Sequence, residues 1–333
     1  MPRAPRLTRE QLSVRSGCQA KLGGCDLLEL LESASESSLA EERLEDSALL
    51  DVSDTRLMLV STDLAPLVVQ DLHIAGSIAA HHGMSDIWAS GGQPKWILVT
   101  LCIQPDFPKE YAEAIQRGIV ETSTYEGARV VGGQTILGPE ALAGVTVLGY
   151  PMTTRVLRKR GAIEGDLLLM SKPAGAGLML RGYRIGLLQE QDIEQVIKIM
   201  NTSNQGAARI AVTLANAATD ISGFGLLGHL TEMLADSQGA LLSLAKIPTV
   251  VGANEVSSQL PRTIWEDNNL DYASRRHRVA GKFDRQTNRL LLDPQTNGGI
   301  LVAAPPTAGA MLVAAGFTEI GIVTGDSAII IDN

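Results

Sequence analysis

The chain has 333 residues, with 28 Lys plus Arg against 37 Asp plus Glu, a formal net charge of -9 and a pI near 5.1. That balance argues against a broad basic face for gripping nucleic acid, but it leaves room for a polyanionic ligand bridged to acidic side chains by cations. Hydrophobic residues at 45%, 33 glycines and only 4% aromatics suit an α/β protein with many tight turns, and at roughly 150 residues per domain the length points to two domains.

The odd number of cysteines, Cys18, Cys25 and Cys102, leaves at least one thiol free, which fits a reducing cytoplasm. Residues 1–15 alternate basic and polar side chains without an apolar core, so no secretory signal is expected. The longest charge-free stretch, Pro294 to Thr318, is broken by Gly298-Gly299 and Pro305-Pro306 and reads as turn, strand and helix, not as a membrane span. The expectation is a soluble cytoplasmic protein that binds neither membrane nor nucleic acid.

In chain order, residues 1–50 form a polar N-terminal segment with an acidic helical stretch over 26–45. Arg56 to Ser61 is a β-type run ending in Thr62-Asp63. Apolar residues recur every three or four positions from Leu67 to Ala89, predicting a helix that closes on Gly91-Gly92. Strands are expected at Trp96–Ile103 and Leu142–Tyr150, with an amphipathic helix at Pro108–Tyr125 between them and a glycine turn at 132–135. Basic residues and glycine over 151–165 suggest a linker. Beyond it the sequence predicts a strand at 166–171 and helices near 187–201 and 204–217. A Gly-rich turn over 220–228 then opens a helix to about residue 235, and strands follow at 289–293, 300–304, 320–323 and 328–331. Alternating strands and helices give α/β layers, in two domains spanning 51–155 and 156–333.

Several residues could carry chemistry. In Ser16-Gly17-Cys18-Gln19-Ala20-Lys21 a cysteine lies three residues from a lysine, an arrangement that could stabilise a thiolate. Taken alone, a plain free cysteine and a solvated lysine are the commoner reading. Cys25 and Cys102 look structural, Cys102 because it lies inside an apolar strand. Asp46, Asp63, Asp86 and Asp220 each fall at a strand end or beside a turn. Convergent, they could hold Mg²⁺ through oxygen ligands; singly, each serves equally well as a cap or turn residue, and Asp63 would suit the helix after it. The glycine clusters at 132–135, 223–225 and 293–299 match neither a Walker A nor a dinucleotide fingerprint. His81 and His82 point about 100° apart on a helix, so a joint metal site is not expected, and His229 reads as a packed, hydrogen-bonded histidine.

The ordered series SGCQAK, EDSA, VSTD, IAAHHGMSDIWASGGQPK, GGQT, TDISGFGLLGHLTEML and DPQTNGG resembles the selenophosphate synthetases (selenide, water dikinases), from about Arg6 to the end. The resemblance implies the two-domain fold of the aminoimidazole ribonucleotide synthetase-like ATP-binding superfamily, working as a homodimer whose N-terminal sheets form a shared barrel. It implies ATP as substrate, several Mg²⁺ ions with K⁺ as a further ion, selenide as acceptor and a selenium-delivery protein as a candidate partner. The products would be selenophosphate, AMP and phosphate. Motif by motif, Cys18 and Lys21 take the catalytic positions, and Asp46, Asp86 and Asp220 those of metal ligands. Lys21, Arg43, Leu44, Glu45, Thr62, Asp63 and Asp86 fall at nucleotide-binding positions. Gly133, Gln134 and Thr135 match a nucleotide-contacting turn that the partner subunit contributes. Ala20 stands where many members carry a second cysteine, His82 where Asn is usual and His81 where a small residue is. Ser47 and Asn297 are milder departures. Two rivals differ in activity: a superfamily phosphotransferase with another small acceptor, and a nucleotide-binding regulatory paralogue, which would need neither Cys18 nor Lys21.

Overall fold

The computed structural model describes residues 5–9, 11–12, 17–22, 25–27, 29, 45–53, 56–281 and 289–332. Most of the expected acidic helix over 26–45, with Arg43 and Leu44, lies outside them. The described residues build two sheets. The first takes β1 (Ala48–Ser53), β2 (Arg56–Pro66), β3 (Gly92–Ile103), β4 (Arg129–Leu137) and β5 (Leu142–Pro151), in the order β1-β2-β5-β3-β4. All its pairs are antiparallel except β3 with β4. Two helices, α1 (Leu72–Ala89) and α2 (Lys109–Tyr125), cover one face. Strand alternation sends Ile97, Val99, Leu101, Val145 and Val147 into the core beneath them.

The second sheet spans 167–332. Its strands are β6 (Leu167–Met170), β7 (Ala217–Asp220), β8 (Gly239–Ser243), β9 (Arg278–Gly281), β10 (Ile300–Ala304), β11 (Thr318–Thr324) and β12 (Ala328–Asp332), ordered β7-β10-β6-β11-β8-β12-β9. Both its faces are buried. Leu168, Met170, Leu301 and Ala303 join one apolar cluster, while Leu169, Ile300, Val302 and Ala304 join another. Helices supply the cover: α3 (Ala176–Arg184), α4 (Glu194–Met200), α5 (Gln205–Leu214), α6 (Gly225–Met233), α7 (Ala253–Gln259), α8 (Ile264–Arg276), α9 (Arg289–Leu292) and α10 (Pro306–Ala314). No described helix is long and apolar enough to cross a membrane.

The structure departs from the sequence expectations at identifiable places. Helix α1 starts at Leu72, because the Asp71 carboxylate accepts the Ile74 N–H at 2.9 Å and so caps the helix there. Asp63 caps nothing and lies inside β2. The expected turn at 132–135 is strand: β4 runs through it, with Gly133 opposite Val99. A Cβ on Gly133 would meet the Val99 carbonyl at 2.0 Å, so that glycine permits close backbone approach. The expected strand at 289–293 is one helical turn. It forms because the Arg289 guanidinium donates to the Ser257 and Leu260 carbonyls at 2.6 and 2.7 Å. The helices placed near 187–201 and 204–217 are shorter, α4 following a 3-10 turn and α5 stopping where β7 must begin.

Helix α1 is buried nearly all round, wedged between the first sheet, α2 and the second half of the chain. Its contact with α2 runs through two glycines. A Cβ on Gly76 would lie 2.1 Å from the Ile115 carbonyl oxygen, and one on Gly118 would lie 2.0 Å from the His73 carbonyl oxygen. Backbone cannot yield as a side-chain tip can, so Gly118→Ala forces the helices apart. The expected loss is at least ~1–3 kcal/mol of unfolding free energy, to be read by urea denaturation.

Candidate active site

The site lies in the seam between the two sheets, built from β2, α1, the end of β7, the N-terminal turn Gly17–Ala20 and the loop 293–299. Along β2, alternation puts Ser61 and Asp63 on the buried face and Thr62 on the other, where its hydroxyl meets Thr146 Oγ1 at 2.9 Å. Along α1, the four-residue spacing of His82 and Asp86 sets both on the face turned to β2. Two clusters result.

The first joins Cys18, Lys21, Asp63 and His82. Cys18 is buried, with 3% of its surface exposed, and its backbone N–H donates to Thr296 Oγ1 at 3.2 Å. Its Sγ lies 2.9 Å from His82 Nε2. Asp63 Oδ2 receives the Lys21 ammonium at 2.7 Å and lies 2.9 Å from His82 Nε2. Burial alone would raise the Asp63 pKa, but the Lys21 charge and the hydrogen bonds the carboxylate takes from His82 and Lys21 outweigh it and hold the carboxyl below its usual range. Burial likewise disfavours a charged Lys21, and Asp63 more than compensates. A cavity of about 20 Å³ beside Asp63, His82 and Thr296 has room for one water-sized group.

The second cluster is Asp46, Asp86 and Asp220, each of which brings one carboxylate oxygen within 4.8 Å of the others'. Burial and the neighbouring carboxylates of Asp220 and Glu232 push Asp46 up to about 7 against the opposing pull of Lys159. Burial first, then Asp220 and Asp46, drive Asp86 well above its ordinary value. The Ser61 hydroxyl donates to Asp86 Oδ2, and the Thr219 hydroxyl donates to Asp46 at 3.0 Å. Asp220 is 1% exposed, and neither of its carboxylate oxygens has a hydrogen-bond partner. Two orphaned buried oxygens facing two more carboxylates form an all-oxygen donor set that fits a hard divalent cation such as Mg²⁺.

The polar frame around these clusters has no signature in the sequence. Lys159 Nζ lies 2.6 Å from Asp46 Oδ1 and 3.0 Å from Glu232 Oε2, and Glu232 also accepts the Tyr272 hydroxyl at 2.7 Å. His229 packs against Glu232 and Ser222, as its sequence context suggested. The loop 293–299 is a brace more than a phosphate cradle. Asp293 accepts the Gly177 N–H at the start of α3 at 2.9 Å, Thr296 holds Cys18 and the Asn297 N–H donates to His82 Nδ1 at 3.2 Å. Lys172 supports the loop by donating to the Thr202 and Asn297 carbonyls at 2.7 and 3.0 Å, and burial lowers its pKa to about 7.

Of the remaining expected residues, Glu45 accepts the Lys159 backbone N–H at 2.9 Å. Gly133, Gln134 and Thr135 are not joined to the acidic clusters. With Lys109, Gln116 and Arg117 they line a separate cavity of about 760 Å³ between β4 and α2. Cys102 is buried in β3, and Cys25 donates to Asp271 at 3.3 Å.

Residues 44–150 match the N-terminal domain of the AIR synthase related proteins, and residues 164–332 match their C-terminal domain. Over 289 residues the chain is 34% identical to the selenide, water dikinase of Carboxydothermus hydrogenoformans, covering 85% of this chain and 84% of that one. Against the selenide, water dikinase of Pelobacter propionicus it is 33% identical over 314 residues, 90% of this chain and 88% of the relative. The thiamine monophosphate kinase of Aquifex aeolicus superposes with a TM-score of 0.68 at 21% identity, over 92% of this chain and 96% of that one. The hydrogenase maturation protein HypE of E. coli superposes at 0.61 and 18% identity, over 92% and 93%; these two likenesses establish a common fold. The chain belongs to the AIR synthase related proteins and, within them, to the selenide, water dikinase family.

Lys159 is the cation on which two buried carboxylates depend. Lys159→Met would leave Asp46 and Glu232 facing each other without it, and the expected destabilisation is ~3–5 kcal/mol, measured by urea denaturation without divalent cations.

Proposed function

We propose that this chain is a cytoplasmic selenide, water dikinase, converting ATP, selenide and water into selenophosphate, AMP and phosphate. The observation that carries the reading is the Cys18–His82–Asp63–Lys21 cluster standing beside the Asp46–Asp86–Asp220 trio, with α1 supplying His82 to the one and Asp86 to the other. It agrees with the names of the relatives.

Asp46, Asp86 and Asp220 would hold Mg²⁺, which when bound screens the triphosphate charge and orients it for transfer. Selenide attacks the γ-phosphorus; a P–Se bond forms as the P–O bond to the leaving ADP breaks. ADP then passes its terminal phosphoryl group to water, giving phosphate and AMP. Lys21 is placed to offset charge on the transferred phosphoryl group. Cys18 holds the selenide for attack without a bond forming between sulfur and selenium, and the burial of its turn keeps water from competing during the first transfer.

We also propose a homodimer with a shared nucleotide site. The sheet face opposite α1 and α2 is open, exposing Leu64 and Leu98, and β4 is an edge strand carrying an exposed Ile136 and Leu137. Such an apolar face and edge call for a partner. The strip Gly133–Thr135 on β4 would then serve the partner's nucleotide.

Two measurements test these readings. Anaerobic ³¹P NMR with ATP, Mg²⁺, K⁺ and selenide should show selenophosphate with an equal amount of AMP, and Cys18→Ala should abolish that signal. ATP consumption without selenophosphate would instead identify a phosphotransferase for another acceptor. Light scattering should report a dimer for the wild type and a monomer for the Leu64→Asp/Leu98→Asp variant; a monomeric wild type overturns the shared site.

A further inference from the structure

The adjacent histidines divide their roles. His81 Nε2 lies 3.4 Å from Glu126 and its ring packs near Trp88, a contact of the helix interior. His82, 4% exposed, sits at the junction of four separate parts of the chain: Cys18 of the N-terminal turn, Asp63 of β2, its own α1 and Asn297 of the loop 293–299.

The protonation of the ring follows from its contacts. The Asn297 backbone N–H points at Nδ1 at 3.2 Å, and a donor aimed at a ring nitrogen needs a lone pair there. Nδ1 therefore carries no hydrogen, and the ring proton is on Nε2. Burial favours such a neutral ring; Asp63 and Cys18 pull toward the charged one and by charge alone would prevail. A hydrogen on Nδ1 would collide with the Asn297 N–H, and that contact decides for the neutral tautomer. Nε2–H then faces two acceptors at the same 2.9 Å, Cys18 Sγ and Asp63 Oδ2. Asp63 Oδ2 already has the Lys21 ammonium at 2.7 Å. The His82 proton is therefore free to turn to the sulfur as that sulfur gains negative charge.

We propose that His82 is the positioning residue for Cys18: a neutral imidazole, locked as its Nε2–H tautomer by the Asn297 amide, that donates to the anionic sulfur, or to selenium carried there, and holds it beside the Lys21–Asp63 pair. The lysine cannot fill this place, being committed to Asp63. The loop 293–299 thus acts on the reacting sulfur twice, through Thr296 on the Cys18 backbone and through Asn297 on the ring.

The proposal rests on Cys18 being the selenium-handling residue, and its test uses readouts that need no selenide, so the two can fail separately. In the full chain labelled with ¹⁵N-histidine, the His82 signals are assigned by their loss in His82→Gln. They should show one protonated and one bare nitrogen, unchanged from pH 6 to 8; a ring protonated at both nitrogens overturns the proposal. The second readout is the pH profile of Cys18 alkylation by iodoacetamide, followed peptide by peptide by mass spectrometry. Cys18 faces Lys21 on its own turn, Asp63 on β2 and His82 on α1, while the loop 293–299 offers it only the uncharged Thr296. Lys21 and Asp63 are constant across the series, so a moving midpoint reports His82.

The midpoint should rise by at least one pH unit in His82→Leu, an effect of tenfold or more on the thiolate fraction. It should return toward wild type in His82→Gln, whose amide nitrogen can reach the place of Nε2. A purely structural histidine would change the limiting rate in both variants and leave the midpoint alone, so equal midpoints overturn the proposal. The ring-nitrogen measurement is made on wild type and stands even if His82→Leu does not fold.

Discussion

The side chains of Asp46, Asp63, Asp220 and Glu232 are buried along one seam, with the half-buried Asp86 among them, and much of the architecture around the site answers that burden. An uncompensated charge away from water is among the costliest features a fold can carry. Lys159 bridges Asp46 and Glu232 from the segment joining the two sheets, and Lys21 reaches Asp63 from the N-terminal turn. Both cations come from outside the sheets and helices that carry the acids. The connecting segment and the N-terminal turn are therefore held by electrostatics as much as by packing. Asp220, whose carboxylate oxygens have no hydrogen-bond partner, marks where a hard cation would fit.

How far the fold was legible in the sequence depended on the kind of signal each segment gave. The strands β3 and β5 and the helices α1 and α2 have apolar periodicity long enough to read, and only their ends moved. Asp71 set the start of α1 through a cap that apolar spacing does not register. Gly132-Gly133 read as a turn because glycine usually breaks strands, whereas here it lets β4 approach β3. The turn at Arg289–Leu292 looked like a strand because its leucines are all buried, and burial on every side removes the periodicity that separates helix from strand. Its helical form depends on Arg289 reaching carbonyls some thirty residues upstream, a long-range contact outside any local window.

The site was legible in its acids and much less so in its bases. Asp46, Asp86 and Asp220 stood out as turn-flanking aspartates, and the structure brings their oxygens together. Cys18 and Lys21 were visible as a pair, but not the turn that buries the cysteine. Lys159 sits in a run of basic residues with nothing to distinguish it from Arg158 or Arg160. His82 was hidden by its neighbour. Two adjacent histidines invite a metal reading, and the helix instead sends one ring to the core and the other to the sulfur. Thr62, one residue from Asp63, lies on the opposite face by strand alternation.

The charge pattern also constrains how a nucleotide can enter. Among the described residues the acids of the seam outnumber its two lysines, and His82 is neutral. ATP brings about four negative charges of its own, which any ionised carboxylate of the seam repels at close range; the raised pKa values of Asp46 and Asp86 reflect, beside burial, the same repulsion among the acids themselves. Lys159 is held between Asp46 and Glu232, so of the two lysines it is Lys21 that stands where it can meet the transferred group. The acidic trio, with its converging oxygens and the unpartnered carboxylate of Asp220, has the geometry of a donor set for a hard cation, and such a cation would also offset the charge of a triphosphate brought to this seam.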